Sequence, residues 1–154
     1  MYPRRSKYGY VTFLGEFITD KNLYVVCPSC SKKAIVTNAV NADDNISKYA
    51  RIVCVYCGYS KMKQYKYYNI HRTGIDPYFQ LPLWLMTECG GHILWAYNES
   101  HLDFLKNFIE AKHRERDIRE MYNGSLASRL PQWMTSSKNK EAILKAINHL
   151  LSKI

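Results

Sequence analysis

Read for the spacing of its apolar residues, the chain changes character near residue 74. Upstream, apolar residues come in short runs rich in β-branched side chains: VTFLGEFI over 11–18, LYVV over 23–26, KKAIVTNAV over 32–40 and KYARIV over 48–53. Runs of this length and composition predict strands. NADDNIS, residues 41–47, has the composition of a loop, and YSKMKQYKYYN, residues 59–69, partly alternates Tyr or Met with Lys or Gln. The pattern is hairpin, loop, hairpin. YPRRSKYGY, residues 2–10, is too polar for a buried strand and carries Pro and Gly against a helix, so it reads as an arm.

Downstream the pattern lengthens. GIDPYFQLPLWLM, residues 74–86, has two prolines among large apolar residues and predicts an extended segment packed on a core, strand-like at Leu83–Met86. HILWAYN, residues 92–98, can pair with it across a turn at 88–91. From about Glu99 to Glu120 the spacing of Leu102, Leu105, Phe108 and Ile109 predicts a helix with one apolar face, with Asn98 or Ser100 able to cap it. Its second half is charged, and Glu110–Arg114 and Glu115–Arg119 have the four-residue spacing of ion pairs on an exposed helix. Asn123–Gly124 ends it. SLASRL, residues 125–130, predicts a short helix stopped by Pro131, and Ser136 or Ser137 starts a last helix with Ile143, Ile147, Leu150 and Ile154 on one face. Leu144 and Leu151 widen that stripe, which makes this helix a candidate homodimer contact. The expected fold class is α+β: an N-terminal module of β-hairpins over 1–73, together with the basic arm, then a mainly helical module with a short β-hairpin over 74–154.

Composition adds limits. With 154 residues the chain suits one domain, or a small stapled module joined to a larger one. Apolar residues make up 47% and charged residues 23%, enough to build a core and too balanced for a largely disordered chain. No apolar run approaches the roughly 18–20 residues of a membrane span. Behind Arg4 and Arg5 the apolar run is broken by Gly15 and Glu16 and lacks a small-residue cleavage site, so the expectation is a cytoplasmic protein. The net charge of +9 is unevenly spread: residues 1–73 hold 12 of the 22 Lys and Arg but only 4 of the 13 acids. That half suits a polyanionic partner.

Four of the five cysteines form two C-x-x-C pairs, Cys27/Cys30 and Cys54/Cys57, separated by 23 residues. Two intervening residues let a tight turn aim both sulfurs at one ion, and two such turns complete a tetrahedron of thiolates at about 2.3 Å. Zn2+ fits four thiolates without redox chemistry; iron in a rubredoxin-like site is the alternative, since CVYCGY offers a similar knuckle. Gly58 allows the left-handed backbone that such a knuckle needs, and Ser31 stands at the equivalent position of the first. The arrangement, over roughly residues 22–69, resembles the zinc-ribbon superfamily, in which two cysteine hairpins clasp one zinc. The resemblance implies a small sheet around the metal, and members of the superfamily serve in transcription, replication, translation and as inert modules, so it selects no function. Four sulfur ligands close the coordination sphere, which points to a structural metal. Cys89, in CGGH three residues before His92, has no second pair to complete a site and reads as a buried or turn-adjacent thiol.

Ten of the 13 tyrosines lie in residues 1–73 among the cations. The arm offers Arg4, Arg5 and Lys7, and the strand leaving the second knuckle offers Lys61, Lys63, Tyr65, Lys66 and Tyr67. Cations neutralise phosphates and tyrosines stack on unpaired bases, a combination suited to single-stranded nucleic acid. The same composition also describes a guarded sheet edge, or a basic surface that docks a protein complex. No catalytic constellation emerges: Glu110-x-x-His113 has no second copy, Asn98 and His101 lack the histidine-rich surroundings of an HNH nuclease, and there is no phosphate-binding glycine loop or nucleophile elbow. The expectation is a non-enzymatic zinc protein that binds nucleic acid or couples a nucleic-acid process to a protein partner, with a protein-interaction adaptor on a purely structural ribbon as the alternative.

Overall fold

The computed structural model describes residues 17–18, 22–40, 48–66, 74–110 and 130–154. Strands β1 (Leu23–Val26), β2 (Lys33–Val40), β3 (Lys48–Val53) and β4 (Ser60–Tyr65) form one antiparallel sheet in sequence order. Strands β5 (Leu85–Cys89) and β6 (His92–Ala96) form a second, two-stranded sheet, followed by helices α1 (Glu99–Glu110), α2 (Gln132–Thr135) and α3 (Lys140–Leu151), with a 3-10 turn over Ser137–Asn139. This is the mixed α and β class that the apolar pattern predicts. The described residues fall into two compact units, one of 17–86 and 95–98 and the other of 87–94 and 99–154.

In the first unit the period-2 alternation sorts the sheet into two faces. The register sets Leu23 opposite Val36 and Val36 opposite Ile52, and Leu23, Val25, Ala34, Val36, Ala50 and Ile52 are all fully buried. Their neighbours Tyr24, Val26, Ile35 and Val53 on the other face are half-buried, and Thr37 and Arg51 are exposed. The outer edge of β1 is covered by main chain: the Val26 N–H donates to the Pro82 carbonyl, Trp84 to Tyr24 and Tyr24 to Tyr97, each at 2.9 Å. These bonds hold 82–84 against β1, and Leu83 bridges Val25. That is why β5 starts at Leu85, two residues later than the sequence suggests. Tyr78, Leu83 and Leu85 of the extended segment are buried, as expected of a segment packed on a core. Phe17 and Ile18, the described end of the expected first strand, lie instead in a turn; both are buried, and the Asn98 Nδ2 donates to the carbonyls of Phe17 (2.7 Å) and Asn22 (3.0 Å).

In the second unit α1 and α3 pack together. Leu102, Phe104, Leu105 and Ile109 are buried from α1, and Ile143, Ala146, Ile147 and Leu150 from α3. Phe104, rather than Phe108, completes the buried stripe of α1; Phe108 is half-buried and stacks on it with ring centroids 6.3 Å apart. Ile154 lies beyond the end of α3 and is exposed. Pro131 occupies the N-cap of α2, with φ −62°. The charged continuation of α1 and residues 125–129 of the expected short helix lie outside the described residues.

His101 of α1 is buried, and burial pushes its pKa down from the ordinary 6.5 to about 3. The folded unit therefore holds it neutral, while the unfolded chain takes up a proton near pH 6.5. The histidine costs nothing above that pH, and stability is lost as pH falls from about 6.5 toward 3, by about 1.4 kcal/mol per unit. Thermal melts at pH 7 and pH 5 should show wild type losing about 2 kcal/mol more than His101→Leu over this interval. Parallel losses in the two proteins would mean that His101 is not held neutral by burial.

Candidate metal centre

Cysteine pairs form the turns between β1 and β2 and between β3 and β4. Because β2 and β3 run antiparallel, with Ile35 opposite Val53, both turns lie at the same end of the sheet. Cys27, Cys30, Cys54 and Cys57 are thereby brought together, their four sulfurs all within 4.8 Å of one another. The Cys27 and Cys57 Sγ atoms are 3.6 Å apart, and those of Cys30 and Cys54 3.5 Å. Thiolates at tetrahedral corners with bonds of about 2.3 Å stand about 3.8 Å apart, so this cluster can hold a zinc-sized ion with little adjustment.

The two turns repeat each other bond for bond. The Cys27 N–H donates to the Lys32 carbonyl and Cys54 to Tyr59, both at 2.8 Å; Ser31 donates to the Cys27 carbonyl and Gly58 to Cys54, both at 2.9 Å. In each, the residue after the second cysteine is left-handed, Ser31 at φ 64° and Gly58 at φ 78°. Ser31 carries a side chain in a conformation that favours glycine, at a cost of roughly 1 kcal/mol. The first knuckle adds a bond from the Ser29 N–H to the Cys27 sulfur at 3.4 Å. Cys27 and Cys54 are buried, Cys30 is half-buried and Cys57 is exposed, so each turn supplies one inner and one outer ligand.

Crowding keeps Cys30 and Cys54 from ionising independently. Burial opposes ionisation of Cys54, but the backbone N–H groups of Cys57 and Tyr56 and the thiols of Cys30 and Cys57 outweigh it and bring its pKa down to about 7. At Cys30 the Lys32 N–H favours the thiolate, yet burial and the other three cysteines push the pKa up to about 12. A divalent ion must therefore displace protons to bind, and acid favours its release. Cations stand nearby: the Lys32 Nζ lies 5.1 Å from the Tyr56 ring centroid and the Lys33 Nζ 4.9 Å from that of Tyr24.

The other sequence-derived site residues are distributed differently. Lys61, Lys63 and Tyr65 share one side of β4, the side of Ile52, Ala50 and Lys48, which are their partners in the register. On that side the Lys63 Nζ donates to the Tyr78 carbonyl at 3.2 Å, and the half-buried Tyr65 ring lies 4.8 Å from Tyr78 at 52°. Lys61 and Lys66 are exposed. Arg4, Arg5, Lys7 and Tyr67 lie outside the described residues, as does His113. Cys89 is buried beside the Gly90–Gly91 turn, and Asn98 and His101 are buried as well. Sequence reasoning passed over the opposite side of β4, where Met62 is 62% exposed and paired with the exposed Arg51. Near it the second knuckle exposes Val55 (78%) and Tyr56 (59%). Strict alternation along SKMKQY would have separated Met62 and Gln64 from Lys61 and Lys63.

Comparison with protein-family models, with curated proteins and with solved structures returned no match for this chain. Its class rests on the fold and the site: an antiparallel hairpin sheet whose four cysteines are clustered in a way compatible with a zinc ribbon. Among the described residues no helix is long and apolar enough to cross a membrane.

Proposed function

We propose that the chain is a non-enzymatic zinc protein that binds unpaired nucleic acid along the second hairpin of its sheet. The carrying observation is the exposed Met62 and its exposed cross-strand partner Arg51 on one side of a hairpin whose knuckle exposes Val55 and Tyr56, with Lys61, exposed from the other side of the edge strand β4, and Lys66 adding charge. Apolar and aromatic surface next to cations can stack bases and neutralise phosphates together, whereas a guarded edge needs only the lysines. Four thiolates complete the zinc coordination, so the metal positions this hairpin and leaves no place for a substrate.

Titration of fluorescent single-stranded DNA, single-stranded RNA and duplex at 50 and 200 mM salt tests the reading. With three phosphate contacts, single-strand affinity is expected to fall roughly twentyfold between these conditions. Replacing Arg51 and Lys61 by Gln should flatten that salt dependence, and Tyr56→Ala should weaken binding about tenfold. No binding even at 50 mM would sink the proposal and leave the patch to a protein partner.

A further inference from the structure

The second unit holds a cavity of about 450 Å³ that the ribbon does not share. Its wall is formed by the β5–β6 turn, with Cys89, Gly90 and His92, and by the chain from α2 into α3, including Gln132, Trp133, Ser136, Lys138 and Asn139. Its size falls within the roughly 300–1,000 Å³ of small-molecule sites. The His92 and Trp133 rings, both in the lining, stack almost parallel, with centroids 4.6 Å apart at 3°. Asn139 Nδ2 donates to the Trp133 main-chain carbonyl at 2.9 Å, which ties this carboxamide to α2. Cys89 is 7% exposed, and among the described residues its thiol makes no hydrogen bond. Burial pushes the Cys89 pKa up, so the thiol is neutral and suits binding rather than nucleophilic chemistry.

We propose that this pocket takes one nucleotide, with the base against the His92–Trp133 pair and the phosphate at Lys138. A stacked aromatic pair in the lining selects a planar ring, because a base can extend the stack whatever its identity. The carboxamides of Gln132 and Asn139 supply the donors and acceptors that base edges use. Lys138 is the cationic residue of the lining and selects an anionic substituent. The site lies wholly in the second unit and does not depend on nucleic-acid binding by the ribbon.

Calorimetric titration of the full zinc-loaded chain with AMP, adenosine and inorganic phosphate tests this. AMP is expected to bind at least about tenfold more tightly than adenosine or phosphate. Lys138→Gln, at an exposed position, should weaken AMP about tenfold and leave adenosine unchanged, whereas Trp133→Leu should weaken both. Melting curves of the two variants check that each is folded. Trinucleotides with and without a 5′-phosphate identify the source: tighter binding of the phosphorylated strand than of AMP supports a strand end, and binding of AMP alone supports a free nucleotide. Failure of both AMP and the phosphorylated strand to bind overturns the proposal, as does a Lys138→Gln protein that binds AMP like wild type. Ribbon variants such as Tyr56→Ala should leave AMP binding intact, so failure here is distinguishable from failure of the ribbon reading.

Discussion

Cys54→Ser is expected to abolish metal binding and unfold the four-stranded sheet. A structural zinc site contributes on the order of 10 kcal/mol to folding its module, comparable to the whole stability of about 5–15 kcal/mol of a typical domain. Here the dependence is strong because both hairpins turn through the cluster. Cys54 is fully buried, so a serine there leaves a poor ligand where water has little access to replace it. Cys57 is exposed, and in Cys57→Ser a water molecule can take the fourth position; this variant should keep more metal than Cys54→Ser. Elemental analysis should find one zinc per wild-type chain and close to none in Cys54→Ser, and a strong chelator should reproduce the loss of β signal. A Cys54→Ser protein that keeps its metal and melts like wild type would falsify the ligand assignment.

The parts of the molecule legible in the sequence are those where one local rule decides. Two C-x-x-C turns are self-contained, and a meander of short β-branched strands brings such turns to one end of a sheet. The strand pattern and the ligands could therefore be read together. The apolar stripes of α1 and α3 were legible for the same reason, since helical period alone places Leu102, Leu105, Ile109, Ile143, Ile147 and Leu150. What escaped depends on long-range partners. The start of β5 moved because Pro82 and Trp84 bond to β1, some 60 residues away. Phe104 is buried where the apolar spacing pointed to Phe108, since helical period alone does not decide which flank of the α1 stripe is covered. The candidate binding surface was blurred by composition, because counting tyrosines and lysines ignores that Lys63 and Tyr65 turn toward Tyr78 while Met62 and Arg51 turn away.

The Asp76 carboxylate organises the segment that meets Lys63 and Tyr65, and its loss should be the costliest change in the first unit outside the metal ligands. Asp76 is fully buried. Its Oδ1 accepts the N–H groups of Tyr78 (2.9 Å) and Phe79 (2.8 Å), and its Oδ2 that of Leu81 (2.6 Å). Its own N–H donates to the Leu81 carbonyl at 2.9 Å, closing a loop in which Gln80 sits at φ 59°. Asp76→Ala leaves three N–H groups without their acceptor, in part away from water, and should destabilise the unit by roughly 3–5 kcal/mol. Asp76→Asn keeps one carbonyl oxygen for Tyr78 and Phe79 but sets an NH2 donor against the Leu81 N–H; its cost should be smaller, roughly 2–3 kcal/mol. Denaturant unfolding followed by far-UV circular dichroism can rank the two variants, and values within about 1 kcal/mol of wild type for both would contradict this account. Metal content should be unchanged while either variant is folded, because among the described residues the Asp76 carboxylate bonds only to Tyr78, Phe79 and Leu81. Loosening it instead frees Tyr65 and Lys63 from Tyr78, so a folded Asp76→Asn protein should bind single strands at least as well as wild type if the second hairpin is the nucleic-acid surface.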